Sequence, residues 1–226
     1  MKLTQSKAIV ASRIGVFAAL YATTSLVPIS IFIGASSFLS LNLVITPTIA
    51  VLLSPIEAGC AALIGALLAL WIAPHQAMFG PTTVLLPLVG AVCGSLVFRK
   101  IKLGALVSGF FLIGVVASYL VARGQFPYWI APHALTIVLM GISSLMTPLR
   151  IRVVLGSFVA TIFEQAAMLI QAVYVLQLPV IAFATAFPLM LYERIIATLG
   201  ASLIVLGIAK FTPNYFDVLH QKGEKA

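Results

Sequence analysis

Charge is what this chain has least of, and acid is the scarcer sign. Its 226 residues hold five Asp and Glu against thirteen Lys and Arg, and charged residues make up 8% of the whole. A soluble domain carries about a quarter charged residues, so an ordinary soluble fold is excluded. Histidine and cysteine are equally thin. His75 and His133 fall at the ends of apolar runs and His220 in the polar tail, while Cys60 and Cys93 sit singly inside apolar runs. That spacing offers no zinc or haem ligand set and reads as reduced packing thiols, so no metal or other cofactor is expected. There is no G-x-x-x-x-G-K-[ST] loop, so the chain does not hydrolyse ATP by that route, and no H-E-x-x-H. Membrane enzymes gather several polar residues at one depth; here polar residues are few and spread over loops and helix ends. No enzyme is expected.

What is present is apolar. Hydrophobic residues reach 62% and the mean hydropathy is +1.18. Runs of about 20 such residues are long enough to cross a ~30 Å hydrocarbon core as helices, whereas a barrel would alternate apolar and polar residues. The expectation is an all-α polytopic membrane protein, one integral domain over 1–226. Eight spans are read at about Ala8–Val27, Ser40–Leu53, Ala58–Ala73, Thr82–Phe98, Leu103–Ala122, His133–Met146, Val153–Leu176 and Ala186–Ala209. No cleavable leader is expected, since the first span is long and no small-residue cleavage site leads into a soluble region. An uncharged Gly/Ser link fills Ser30–Leu39, and the loop Pro74–Pro81 carries His75 and Gln76.

The positive charges test the span count. With a cytoplasmic amino terminus, eight spans put 11 of the 13 Lys and Arg on the inner side; Arg123 alone falls in an outer loop and Arg194 within a span. The positive-inside rule asks for that asymmetry, and it places both termini in the cytoplasm. Basic residues clustered at span ends are not the stripe that binds nucleic acid, so no such partner is expected.

Two of the five acids lie where lipid should be. Glu164 falls near the middle of the seventh span, and Glu193 with Arg194 a few residues into the eighth. A charge at the centre of a span costs about 2.5–3.5 kcal/mol on insertion scales, so such residues face a cavity or a partner. Helix rise puts Glu164 about 18 Å below the outer boundary and Arg194 about 12 Å, a gap an Arg side chain covers. Two readings fit: a structural ion pair locking the last two helices, or an outward pocket in which Glu164, Glu193, Gln171 and Arg194 meet a polar solute. Glu164, Met168 and Gln171 share one helix face at i, i+4, i+7. Asn42, His75 and Gln76 join the candidate contacts from the outer ends. In the first span, Ala11, Gly15, Ala18 and Ala22 make a smooth stripe that admits a helix closely, either the protein's own or a second subunit's.

The order of these features resembles the substrate-binding S component of energy-coupling-factor (ECF) transporters, prokaryotic importers of vitamins and related micronutrients. The similarity rests on VFAALYA at Val16–Ala22, the Gly/Ser first loop, and the short second span turning through SPIEAG at Ser54–Gly59. A last span opening with FPLMLYERII, Phe187–Ile196, completes it. It covers residues 8–98 and 153–210, a six-helix core, with 103–148 as an inserted helix pair. The resemblance implies a solute-binding subunit in the cell membrane without ATPase activity of its own. It would dock through Gly15, Ala18 and Ala22 on a transmembrane coupling protein driven by two cytosolic ATPases. The rival expectation is a self-sufficient secondary transporter or channel using its intramembrane carboxylates, although spans 1–4 and 5–8 show no repeat.

Overall fold

The computed structural model describes residues 7–31, 38–99, 102–124, 127–145 and 148–212. The centre of the first loop, Lys100, Gln125 and the polar ends lie outside these described residues. The described chain is all-α apart from one small hairpin. Its helices are α1 (Lys7–Thr24), α2 (Asn42–Leu52), α3 (Pro55–Ile72), α4 (Leu85–Phe98), α5 (Lys102–Arg123), α6 (Ala131–Leu145), α7 (Leu149–Tyr174) and α8 (Val180–Phe211). Helix starts and ends follow local chemistry. Ser54 and Pro55 open α3, with the Glu57 carboxylate accepting the Ser54 amide at 3.1 Å, a reciprocal cap with Pro in the first turn.

Five helical segments are long and apolar enough to cross a membrane: Pro55–Ile72, Gly80–Phe98, Ala105–Arg123, Leu149–Tyr174 and Val180–Phe211. The second begins in a 3-10 turn at Gly80–Val84 that runs into α4. The eight expected spans each meet a helix, but not all are of spanning length. α2 has 11 residues, about 16 Å, and α6 has 15, about 22 Å. α1 has 18 residues but carries Lys7 and Arg13. Two boundaries also move: α7 begins at Leu149 and α8 at Val180, each a turn or more earlier than hydropathy suggests. In both cases proline sets the edge, Pro148 and Pro179, each in extended backbone just before the first helical residue.

The first loop is not a plain link. Pro28–Ile31 (β1) and Phe38–Ser40 (β2) pair antiparallel, with Pro28 opposite Ser40 and Ile31 opposite Phe38. The hairpin folds back beside the amino end of α2, where the Leu41 amide donates to the Val27 carbonyl at 2.9 Å.

Arginines cap one end of the bundle. Arg99 Nε and Nη2 donate to the Leu53 and Leu52 carbonyls at 3.1 and 3.2 Å, closing the C-terminus of α2. Arg152 Nη2 does the same for Phe98 at the end of α4, at 3.1 Å, and stacks over its ring. Arg13 pairs with Glu57 at 3.1 Å across α1 and α3. Helix ends leave carbonyls without intrahelical partners, and a guanidinium supplies several donors at once.

Candidate functional site

Toward the opposite end, the C-terminus of α1 and the N-termini of α2 and α4 meet the middle of α7 and of α8. A polar cavity of about 100 Å³ lies between α1, α2, α4, α7 and α8. Tyr21 comes from the last turn of α1, Ser40 from β2, and Asn42 with Leu43 from the start of α2. Gln76, Met78, Phe79 and Thr83 come from the connection between α3 and α4. Glu164 and Met168 on α7, and Glu193 and Arg194 on α8, form its deep side.

Small residues bring these helices together. A Cβ on Gly90 would sit 2.9 Å from Glu164 Cβ and 3.0 Å from the Ala160 carbonyl oxygen, so only glycine lets α4 lie this close beneath Glu164. Gly65 does the same for α3 against α1, where an added Cβ would meet Tyr21 and the Ala18 backbone at 2.8–2.9 Å. Close approach fixes both Tyr21 and Glu164 with little freedom to move.

The charges are ordered by Arg194, which is 2% exposed. Its Nη2 donates to Glu193 Oε2 at 3.1 Å and its Nη1 to the Thr161 carbonyl at 3.0 Å. Nη1 stands 3.8 Å from Glu164 Oε2, an ion-pair distance beyond hydrogen-bonding reach. Glu164 is 9% exposed and its Oε2 has no hydrogen-bond partner. The Thr46 hydroxyl on α2 faces it without closing a bond. The two amino groups of the arginine thus go to its own neighbour and to a backbone carbonyl, while its Nε, like Glu164 Oε2, makes no hydrogen bond.

The rim is tied by side chains. Gln76 Nε2 donates to the Ser25 carbonyl at the end of α1. Ser40 Oγ lies 2.6 Å from Gln76 Oε1 and 2.7 Å from Asn42 Oδ1. A hydroxyl has one proton to give, so one of these contacts is a full bond and the other becomes one when that amide presents its NH₂. Through Ser40 and Gln76, the hairpin, α1, α2 and the α3–α4 connection meet over the cavity.

Of the residues expected at the site, Glu164, Glu193, Arg194, Asn42 and Gln76 are brought together. Two are not. Gln171 shares the Glu164 helix face but lies two turns nearer the rim. There its Nε2 donates to the Thr82 carbonyl at 3.1 Å and its Oε1 accepts the Thr82 hydroxyl at 2.9 Å, so it fastens α7 to the segment before α4. His75 is exposed and outside the lining. The small-residue stripe divides as well. Ala18 and Ala22 are buried, at 2% and 4% exposure, with Ala18 against Gly65 of α3, so they pack the protein's own bundle. Gly15 is open, with nothing within 4 Å of an added Cβ. Tyr21, Ser40, Phe79 and Thr83 were missed. They are uncharged residues near loop ends, and no single-sequence pattern distinguishes them from interfacial side chains.

A larger cavity of about 680 Å³ lies between the first half of α5 and the second half of α6, lined by Leu106, Phe110, Ile113, Ile137 and Met140 with Lys102 at one end. Size does not make it the site. Its walls lack the converging polar groups that orient a ligand. No family model, no curated protein and no solved structure matches the chain.

Proposed function

We propose that this protein is a membrane-embedded solute-binding subunit of an importer, of the kind that the S components of ECF transporters exemplify. One observation carries the proposal. Glu164, an acid in the middle of an apolar helix, is buried beside a cavity with an oxygen that accepts no hydrogen bond and meets Arg194 only at 3.8 Å, and side-chain hydrogen bonds tie the rim above it. A tight structural ion pair would close a hydrogen bond to that oxygen, because an unsatisfied buried polar group costs about 1–3 kcal/mol and more when charged. A site held ready for a solute leaves it free.

In this proposal all eight helices belong to the membrane domain, with α2 reaching the outer surface through the hairpin. The arginine end faces the cytoplasm and the cavity opens outward. The substrate is a small micronutrient. Energy comes from a transmembrane coupling protein with two ATPases, since the chain has no phosphate loop. Docking falls to the exposed face of α1 that carries Ala11, Gly15 and Ala19, not to Ala18 and Ala22.

The loosely paired Glu164 also suits a proton-coupled secondary transporter, and reconstitution separates the two. The purified protein is expected to carry a bound small molecule, identified by mass spectrometry after denaturation. Proteoliposomes of the protein alone should not accumulate that molecule, while membranes that also hold an ATP-driven coupling complex should. Accumulation by the protein alone under a proton gradient would sink the subunit proposal in favour of the transporter.

A further inference from the structure

The charge inventory of the cavity does not balance, and the imbalance points to what enters it. Among the described residues, two carboxylates, Glu164 and Glu193, and one guanidinium, Arg194, are the formally charged side chains in its lining. Arg194 makes its one full ionic hydrogen bond to Glu193 and its Nη1 goes to the Thr161 carbonyl. The surplus negative charge therefore rests on Glu164, whose Oε2 has no donor. A buried carboxylate that shares one arginine with a second acid, and meets it only at 3.8 Å, is under-compensated, so a proton or a cation completes its neutralisation.

The walls discriminate among cations. Tyr21 and Phe79 both line the same space, and aromatic side chains attract nitrogen cations through the ring quadrupole. Asn42, Gln76 and Ser40 add polar atoms on the rim side. A divalent metal would ask for several carboxylate or imidazole ligands, and no group of three or more His, Cys, Asp or Glu able to hold one occurs among the described residues. An anion would have to approach the surplus carboxylate. The volume of about 100 Å³ equals the liquid share of roughly three waters, so it admits a small head group.

We propose that the solute is a monovalent organic cation, a protonated amine or a related nitrogen cation. Its positive end lies beside Glu164 and between Tyr21 and Phe79, and any remaining part lies toward Ser40 and Gln76. The substrate class rests on the solute-binding proposal above but fails separately from it.

The test uses the purified full-length protein in detergent, freed of bound solute and kept at constant ionic strength. Three matched probe sets are titrated by thermal shift: small organic cations (alkylammonium, amidinium and N-methylated heteroaromatic salts), their neutral isosteres, and their carboxylate counterparts. Cations alone should raise Tm, saturably. Glu164→Gln should weaken that response at least tenfold. Glu164→Asp, which keeps the charge, should retain the preference for cations even where affinity falls, and it covers the case in which the Gln variant does not fold. A Tm rise with neutral or anionic probes and none with cations overturns the cation while leaving solute binding in place. No response to any set also overturns it, and the copurified molecule then decides the solute-binding proposal. An equal cation response in Glu164→Gln moves the cation away from Glu164 and overturns the assignment.

Discussion

Around Tyr21 the helices meet through alanine and glycine; around Tyr119 they are held apart by rings. The first interior joins α1, α2, α3 and α4 through Ile45, Ile49, Ala58, Ala61, Ala62, Ala66 and Ala91. The second packs α5 and α6 on α7 through Trp129, Ile130, Phe163 and Leu169, with Phe183 and Phe187 of α8 against it. Tyr119 meets Trp129 and Phe183 edge-on, with centroids 6.5 and 5.7 Å apart, and its hydroxyl accepts Trp129 Nε1–H at 3.0 Å. The difference shows where this protein can hold charge. Where α7 and α8 meet, the Thr161 carbonyl and the Glu164 and Glu193 side chains come within reach of one buried guanidinium. The bulky rings turn their few donors and acceptors on one another, as Trp129 and Tyr119 do. The cavity accordingly forms beside the small-residue interior, and the α5–α6 pair acts as an apolar buttress on α7.

Four substitutions, two of them set against a control, break or sharpen that comparison, in falling order of effect. Arg194→Met strands Glu193 and Glu164 in the interior and should cost about 3–5 kcal/mol, read as a large drop in Tm in detergent. Arg123→Met on α5 loses a bond to the Leu178 carbonyl on a partly exposed side chain and should cost about 1 kcal/mol. Equal losses would mean that the cavity arginine holds nothing special.

Gly94→Leu comes next. Its Cβ would lie 2.4 Å from Ala160 Cβ and 2.9 Å from Ala160 Cα, so α4 and α7 must separate, at about 1–3 kcal/mol or more. On α6, a Cβ added at Gly141 meets nothing within 4 Å, so Gly141→Leu should leave Tm nearly unchanged. Tyr119→Phe removes the acceptor of a buried indole N–H and should cost about 1–3 kcal/mol without altering solute affinity. A fall in affinity would tie the buttress to the site. The smallest effect is a gain: Gly114→Ala on α5, again with open space around it, should stabilise by about 0.5–1 kcal/mol through helix propensity.

Much of this was legible in the sequence because the bilayer leaves few options. Apolar runs become helices, and acids inside them must meet something, which marked Glu164, Glu193 and Arg194 at once. Depth arithmetic brought Arg194 within reach of Glu164. It did not reveal that Arg194 turns first to its chain neighbour Glu193, because the rotamer depends on where the Thr161 carbonyl lies. Periodicity placed Gln171 on the Glu164 face but carries no information about Thr82 on another helix, which captures it. The alanine stripe on α1 has the same limit: spacing identifies a smooth face, and only the position of Gly65 shows that Ala18 is covered. The hairpin at Pro28–Ser40 was missed because its strands are four and three residues long, too short for an alternating pattern.

The most direct test is calorimetric titration of the copurifying solute into wild type and Glu164→Gln, with the stability of each empty protein measured in parallel. Gln keeps the shape and removes the charge. If Glu164 is held for a ligand, affinity falls at least tenfold, about 1.4 kcal/mol, while the empty protein melts at nearly the wild-type temperature. Unchanged affinity with a lower melting temperature would make Glu164 a structural partner of Arg194 and contradict the account.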